Sequence, residues 1–319
     1  MKLIITIDTE EDNWGEYRTS GQTLENIKRI TRLQDVFDRY GVIPTYLITY
    51  PVATDEQSVS ILSGILKRDA CEIGMHCHPW NTPPFEEELS ARNSMLCNLP
   101  PDLQYKKMET LDRTIRENFG IDPKTFRAGR WGFNREVARN LHKLQYKVDS
   151  SVTAYTNWAS EHGPDFSDIP PESFWMDAGN SGWGDLGIAL LEVPATIGFL
   201  QENFALCALV WNTLDSKPLR GLPIKGLLNR ANLLNRVVLS PEFADSARMI
   251  RLAEVMKKKG SKFVNMFFHS TSLLPGLTTI VNNEAEEEAF YRRIEDFLIF
   301  ARKAELTSIR LSQALKMNQ

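Results

Sequence analysis

Residues 1–12 read MKLIITIDTEED, and the run 3–7 (LIITI) with Asp8 and Glu10 directly behind it decides how the rest of the chain is read. A short apolar, β-branched run of this kind is a buried-strand pattern. If the backbone stays extended past Ile7, residues two apart share a face, and both carboxylates point into the same space. In parallel α/β folds ligands sit beyond the carboxyl ends of the strands, so an acidic pair at this place is a candidate site. The plainer reading is two solvated acids in an acidic loop with Glu11 and Asp12. The run also turns acidic before a signal-peptide core could finish.

The same rhythm recurs outward from this stretch. Leu24, Ile27, Ile30, Leu33, Val36 and Phe37 repeat at helical spacing over 22–40, and Gly41 stops that helix. Strands are expected at 43–49, 72–76, 124–128, 146–152, 189–194 and 263–269. Helices are expected near 56–68, 102–119, 134–145, 244–259 and 284–304. Alternation with connections this long implies parallel strands joined by crossovers. Seven strand candidates suit a (β/α) barrel better than a small open sheet. No linker rich in Pro, Gly or Ser divides the chain, so residues 1–319 are expected to form a single catalytic domain of α/β class. Residues 154–187, rich in Asp, Gly, Pro and Trp, and residues 211–240 break the rhythm and read as insertions.

Composition excludes several classes. Of 319 residues, 42% are hydrophobic and 24% charged, which rules out disordered and collagen-like chains. A net charge of −4 gives no general attraction to nucleic acid, so no nucleic-acid partner is expected. No stretch approaches the ~20 apolar residues of a membrane span. Cys71, Cys77, Cys97 and Cys207 form no paired motif and read as reduced thiols, which favours the cytoplasm. Within 211–240, Lys217, Arg220, Lys225, Arg230 and Arg236 face a single acid, Asp215. Such a segment suits an anionic glycan, a lipid-linked precursor or peripheral contact with a membrane surface, and a solvated amphipathic helix is the plainer reading.

The chemistry-bearing residues gather at strand ends. His76 and His78 close EIGMHCHPW (72–80), and their two-residue period puts both imidazoles on one side with Cys77 opposite. Two histidines beside a carboxylate make a three-ligand site with an open position, the arrangement of catalytic zinc and related divalent cations. Arg127 and Arg130 lie in FRAGRWG (126–132), where an arginine can hold a carboxylate ionised and oriented. His269 ends KFVNMFFH (262–269), placed to give a proton to a leaving group. His142 and His162 receive no role. Trp80, Trp131, Trp158, Trp175 and Trp183 offer flat faces on which sugar rings stack, although most tryptophans are simply packed. Trp80, Arg130 and Trp131, lying in the motifs, are the candidate substrate contacts.

Taken together, TIDTEED (6–12), PTYLITYPVA (44–53), EIGMHCHPWNTPP (72–84), FRAGRWGF (126–133), VDSSV (148–152), EVPATIGF (192–199) and FFHSTSLLPG (267–276) resemble the polysaccharide deacetylases of carbohydrate esterase family four. The likeness is strongest to a branch associated with lipopolysaccharide and exopolysaccharide biosynthesis. It implies a distorted (β/α) barrel and one divalent metal ion, zinc the first choice, held by an acid and two histidines. It also implies removal of N-acetyl groups from a glycan or glycan precursor. Carried across, Asp8 resembles the base, Glu10 the metal-binding acid, His76 the first histidine ligand, Arg127 the arginine that orients the base, and His269 the general acid. Two departures stand out. The family pattern has adjacent aspartates where this chain has Asp8, Thr9 and Glu10. It also has its second histidine four residues after the first, where this chain has Trp80, so His78 becomes the substitute. The acid that supports the late histidine has no clear match, and Asp149, Asp185 and Glu192 are the candidates. The rival readings are an amidohydrolase of the same fold acting on a non-sugar C–N bond and a carbohydrate-binding homologue with impaired catalysis.

Overall fold

The computed structural model describes residues 1–176, 188–216, 219 and 221–318. Seven parallel strands form its centre: β1 (Lys2–Thr9), β2 (Thr45–Ile48), β3 (Glu72–Cys77), β4 (Thr125–Ala128), β5 (Val148–Asp149), β6 (Leu191–Glu192) and β7 (Phe263–His269). Their order across the sheet is β7-β1-β2-β3-β4-β5-β6, and each falls within or beside a stretch read as a strand from the sequence. Phe174–Trp175 adds an antiparallel edge to β6. The ladder does not run from β6 to β7. Instead Thr196 donates its backbone N–H to the Asn265 carbonyl (3.1 Å) and takes the Asn265 N–H on its hydroxyl (2.8 Å). The architecture is thus a curled, distorted (β/α) barrel.

The helices lie where the apolar periodicity places them: Ile30–Tyr40, Glu56–Lys67, Pro101–Phe119, Arg135–Lys143, Ser246–Lys258 and Glu284–Lys303. Asp55, Asn134, Asp245 and Asn283 cap four of them by accepting a backbone N–H of the first turn, which satisfies donors the helix itself cannot. Gly41 ends the first helix at φ 66°, a left-handed conformation that costs glycine little. The front of the expected 22–40 helix is a 3-10 turn, Glu25–Arg29, because the Asp12 carboxylate captures the backbone N–H groups of Glu25 (2.9 Å) and Asn26 (3.0 Å).

Strand alternation separates two environments. Leu3, Ile5 and Ile7 of β1 join Ile73, Met75 and Cys77 of β3 and Val264, Met266 and Phe268 of β7 in the main core beneath the helices. The opposite faces line the barrel in layers. Ile4, Val148, Leu191 and Phe263 close one end with Leu311 and Ala314. Thr6, Arg127, Ser150 and Asn265 form a hydrogen-bonded middle layer. Asp8, His76 and His269 follow at the carboxyl ends. The lower layers are buried, which gives the polar groups above them a firm floor.

Among their described residues the two segments read as insertions carry short strands, the end of the helix Phe204–Asp215 and the helix Ile224–Arg230. Thr156–Asn157 pairs with Asp165–Phe166, and Ile197–Phe199 pairs with Arg236–Val238. Much of the basic charge of 211–240 is used internally: Lys225 pairs with Asp215 (2.8 Å) and lies over Trp211, and the Arg236 guanidinium donates to Thr156. Lys217, Arg220, Trp183 and Asp185 lie outside the described residues. Among the described residues no helix is long and apolar enough to cross a membrane, and all four cysteines are free.

Candidate active site

Register brings the predicted residues together. Asp8 on β1 pairs with His269 on β7, and His76 on β3 pairs with Arg127 on β4, so four side chains from distant segments emerge at one rim. Glu10 and His78 continue the alternation one step beyond their strands. Glu10, His76 and His78 are all buried, and one ligand atom from each lies within 4.8 Å of the others. The Glu10 Oε2 atom is 3.4 Å from His78 Nε2 and 3.7 Å from His76 Nε2.

This trio fits a cation. His76 Nδ1 lies 3.0 Å from the Arg127 carbonyl, which can only accept, so the proton sits on Nδ1 and the Nε2 lone pair faces Glu10. Burial pushes the pKa of His76 down to about 3, helped by His78 and Arg127 and opposed by Asp8, so the ring is neutral. Glu10 is a buried carboxyl group: burial raises its pKa well above the ordinary value, and Asp8, Glu11 and Glu242 raise it further against His269. Its Oε1 has no hydrogen-bond partner. Glu10 thus turns Oε2 to two imidazoles and leaves Oε1 buried without a partner, an arrangement a divalent ion would satisfy. Cys77, opposite the histidines on β3, turns into the main core, and burial pushes its thiol up to about 12.

Beside the trio stands a buried ion pair. Arg127 is fully enclosed and spends every donor group: Nη1 to Asp8 Oδ1 (2.7 Å), Nη2 to Thr6 Oγ1 (2.7 Å) and Ser150 Oγ (2.9 Å), and Nε to the Ser150 carbonyl (2.8 Å). Burial alone would raise the Asp8 pKa, yet Arg127, His76 and His269 together hold it below the ordinary value. Asp8 is therefore ionised, with Oδ1 occupied and Oδ2 turned to His269 Nε2 at 3.8 Å.

His269 has a partner that sequence reading missed. Glu242 Oε2 lies 2.9 Å from His269 Nδ1, while Glu242 Oε1 accepts the His269 backbone N–H (3.1 Å) and the Ser272 hydroxyl (2.5 Å). Burial would lower the His269 pKa, but Glu242, with help from Glu10 and Asp8, lifts it to about 10. Of the candidate partners, the two within the described residues are elsewhere. Asp149 takes the Ser151 hydroxyl (2.6 Å), Glu192 takes the Val152 N–H (3.0 Å), and neither touches His269.

The substrate contacts divide. Trp131 lines the cleft, its ring edge-on to Phe267 and beneath the Arg127 guanidinium. Arg130 also lines it, tied to Ser94 (2.6 Å) and Glu161 (2.8 Å). Both take left-handed backbone angles, φ 52° and 60°, which non-glycine residues adopt only where surroundings enforce them. Trp80 does not serve as expected. It is 1% exposed, stacked on His78 with centroids 4.1 Å apart, and its indole N–H donates to Glu11, so no ring face is free for a ligand. Trp175 sits on the sheet edge, bonded to the Asn318 carbonyl. Trp158 and Trp14, the latter unforeseen, do line the cleft, and Trp14 stacks on His269 at 6.1 Å and 12°. The whole cleft measures about 650 Å³.

Gly129, between Arg127 and Trp131, is required by a close approach. A Cβ there would stand 2.9 Å from His78 Nε2 and 2.8 Å from the Cys77 carbonyl. Gly129→Ala is expected to displace the His78 ring and weaken metal binding without altering any ligand. Overpacking of this kind costs about 1–3 kcal/mol, so the variant should still fold. Zinc titration beside a thermal melt checks both parts.

No family model matches this chain, and no curated protein does. Solved structures do. A Parabacteroides distasonis protein provisionally assigned as a glycoside hydrolase/deacetylase aligns over 98% of this chain and 69% of its own, at 12% identity and TM-score 0.57. The 4-alpha-glucanotransferase of Thermococcus litoralis aligns over 99% of this chain and 40% of its own, at 12% identity and TM-score 0.56. A Mycobacterium smegmatis protein provisionally assigned as a polysaccharide deacetylase aligns over 96% and 92%, at 15% identity and TM-score 0.48. Identities this low speak for fold alone, and this fold serves more than one chemistry. With the first two, whose TM-scores exceed 0.5, the chain shares its overall fold, a curled (β/α) barrel.

Proposed function

We propose that this chain is a metal-dependent hydrolase that removes N-acetyl groups from a sugar or glycan precursor. One observation carries the reading: an arginine-held carboxylate, Asp8, faces a glutamate-held histidine, His269, across 3.8 Å, beside the Glu10–His76–His78 trio. A pure binding protein has no use for an ionised acid and a cationic histidine placed so closely.

Glu10, His76 and His78 would hold a divalent cation, zinc by the chemistry of the donor set, which supplies Lewis-acid polarisation of the acyl carbonyl. Asp8 Oδ2 accepts a proton from the water whose oxygen adds to the carbonyl carbon. Arg127 keeps Asp8 ionised and fixed in orientation while this happens. His269 then gives its Nε2 proton to the departing nitrogen, which takes the electron pair of the breaking C–N bond. Glu242 stabilises the cationic ring before that transfer. Acetate and an amine are the products.

The open cleft, rimmed by Trp14, Trp131 and Trp158, favours a sugar ring over a small linear amide. The test is acetate release from N-acetylglucosamine oligomers and from small N-acetyl amides, each with chelator and with added zinc. Zinc-dependent release from the oligomers is expected. Turnover of small amides alone would turn the reading to the non-sugar alternative, and no turnover of either would remove it. Trp158→Ala is expected to raise KM about 2- to 10-fold, as loss of ~0.5–1.5 kcal/mol of stacking implies, with kcat nearly unchanged.

A further inference from the structure

Two histidines can serve one cation only if each presents a bare nitrogen to it and has its other nitrogen protonated and directed elsewhere. For His76 the Arg127 carbonyl does this. His78 has no carbonyl in that role. Its Nδ1 is buried and unbonded, and the ion-pair partner on that side is Glu11 Oε1 at 3.7 Å.

Glu11 itself is 1% exposed and carefully held. Asn81 Nδ2 (2.7 Å) and Trp80 Nε1 (3.2 Å) donate to Oε1, and the Thr49 hydroxyl donates to Oε2 (3.2 Å). Those three donors are neutral. Among the described residues no lysine or arginine pairs with this carboxylate, and His78 is the single ionisable group within 4.0 Å that does. A buried carboxylate is costly unless a proton donor of matching charge faces it. Trp80 meanwhile stacks on the His78 ring, so one indole fixes both the imidazole plane and the carboxylate beside it.

We propose that Glu11 is the positioning residue of the second ligating histidine: it holds His78 with its proton on Nδ1, leaving the Nε2 lone pair for the cation shared with Glu10 and His76. This rests on the metal reading above and adds to it why a His-x-His pair suffices here. It also bears on one departure from the family pattern that the sequence resembles. The indole at position 80, where a histidine is otherwise expected, serves the carboxylate that orients the histidine at 78.

The Nε2 atoms of His76 and His78 lie 3.0 Å apart, close enough to ligate one cation together with Glu10.

The experiment titrates the full, metal-free chain with zinc ions alone and follows imidazole nitrogen resonances by NMR in wild type, Glu11→Gln and Trp80→Phe. Wild type is expected to bind one ion per chain, with the His78 proton on Nδ1 in the loaded form. Glu11→Gln is expected to weaken zinc binding about 10- to 100-fold and to shift the His78 Nδ1 proton signal while His76 keeps its own. Trp80→Phe, which retains the carboxylate, should lose less. Equal affinity and an unchanged His78 signal in Glu11→Gln would overturn the proposal and leave the metal reading standing. So would an equal loss in both variants with no change in the His78 signal, which assigns the effect to packing. A wild-type chain that binds no zinc overturns the metal reading itself. Should Glu11→Gln fail to fold, Glu11→Asp keeps the charge but withdraws it by one methylene, and the same His78 shift is expected.

Discussion

Replacing Asp8 by asparagine is expected to lower turnover by about 10²–10⁴-fold while leaving one metal ion per chain. The substitution keeps an amide oxygen for Arg127 Nη1 at nearly the same place, so the buried arginine is not stranded. What disappears is the negative Oδ2 that faces His269 and accepts the proton. Asp8→Ala would be a poor probe, because removing one partner of a buried ion pair costs ~3–5 kcal/mol and the loss of rate would be confounded with loss of fold. The measurement is kcat on an N-acetylated oligosaccharide beside metal content by elemental analysis. A variant with more than a tenth of wild-type turnover would remove Asp8 from the base role. Because Asp8 sits below the ordinary carboxylate value, the acid limb of wild-type activity attributable to it should lie below 3.8.

Much of this was legible in the chain itself, for a definite reason. The strands lie in largely apolar, buried stretches, a hydrophobic signal that periodicity detects, and several carry a polar residue at or next to their carboxyl end. Asp8, His76, Arg127 and His269 were found because they occupy those positions. Glu10 and His78 followed from two-residue alternation, which survives a step beyond each strand. Glu242 was invisible to the same reasoning. It lies in a turn after Arg236–Val238, a three-residue strand inside a segment that reads as a basic insertion, and nothing local marks it as the mate of a histidine 27 residues on. Trp14 sits in a short 3-10 turn with no periodicity at all. Trp80 was misread for a different reason. A tryptophan in a motif looks like a sugar platform, but whether its ring faces solvent depends on a carboxylate 69 residues away, and no spacing rule reports that.

Glu242→Gln gives the second large effect, and it is one of pH. In the wild type Glu242 lifts the His269 pKa to about 10 against the opposing effect of burial, so His269 remains an acid through neutral and mildly alkaline solution. Glutamine preserves an acceptor for Nδ1–H but removes the charge. Burial, no longer offset, then draws the pKa down toward the ordinary value of 6.5, with Glu10 and Asp8 still resisting. The sign follows directly. A histidine with a raised pKa is charged below that value and loses its proton as pH rises through it, so the alkaline limb of kcat/KM should move from near 10 to lower pH. At pH 8 a group titrating near 6.5 is about one-thirtieth protonated, so the variant should fall by up to about 30-fold there and should recover most of that loss at pH 6. Stability should follow the same direction. The contribution from charged His269 is fully present below 6.5 in the wild type and vanishes as pH passes 10, whereas in the variant it disappears earlier. Thermal melts at pH 6 and pH 9 should therefore separate the two proteins more at the lower pH. An alkaline limb that stays in place in Glu242→Gln would mean that His269 is not the group whose proton leaves with the amine.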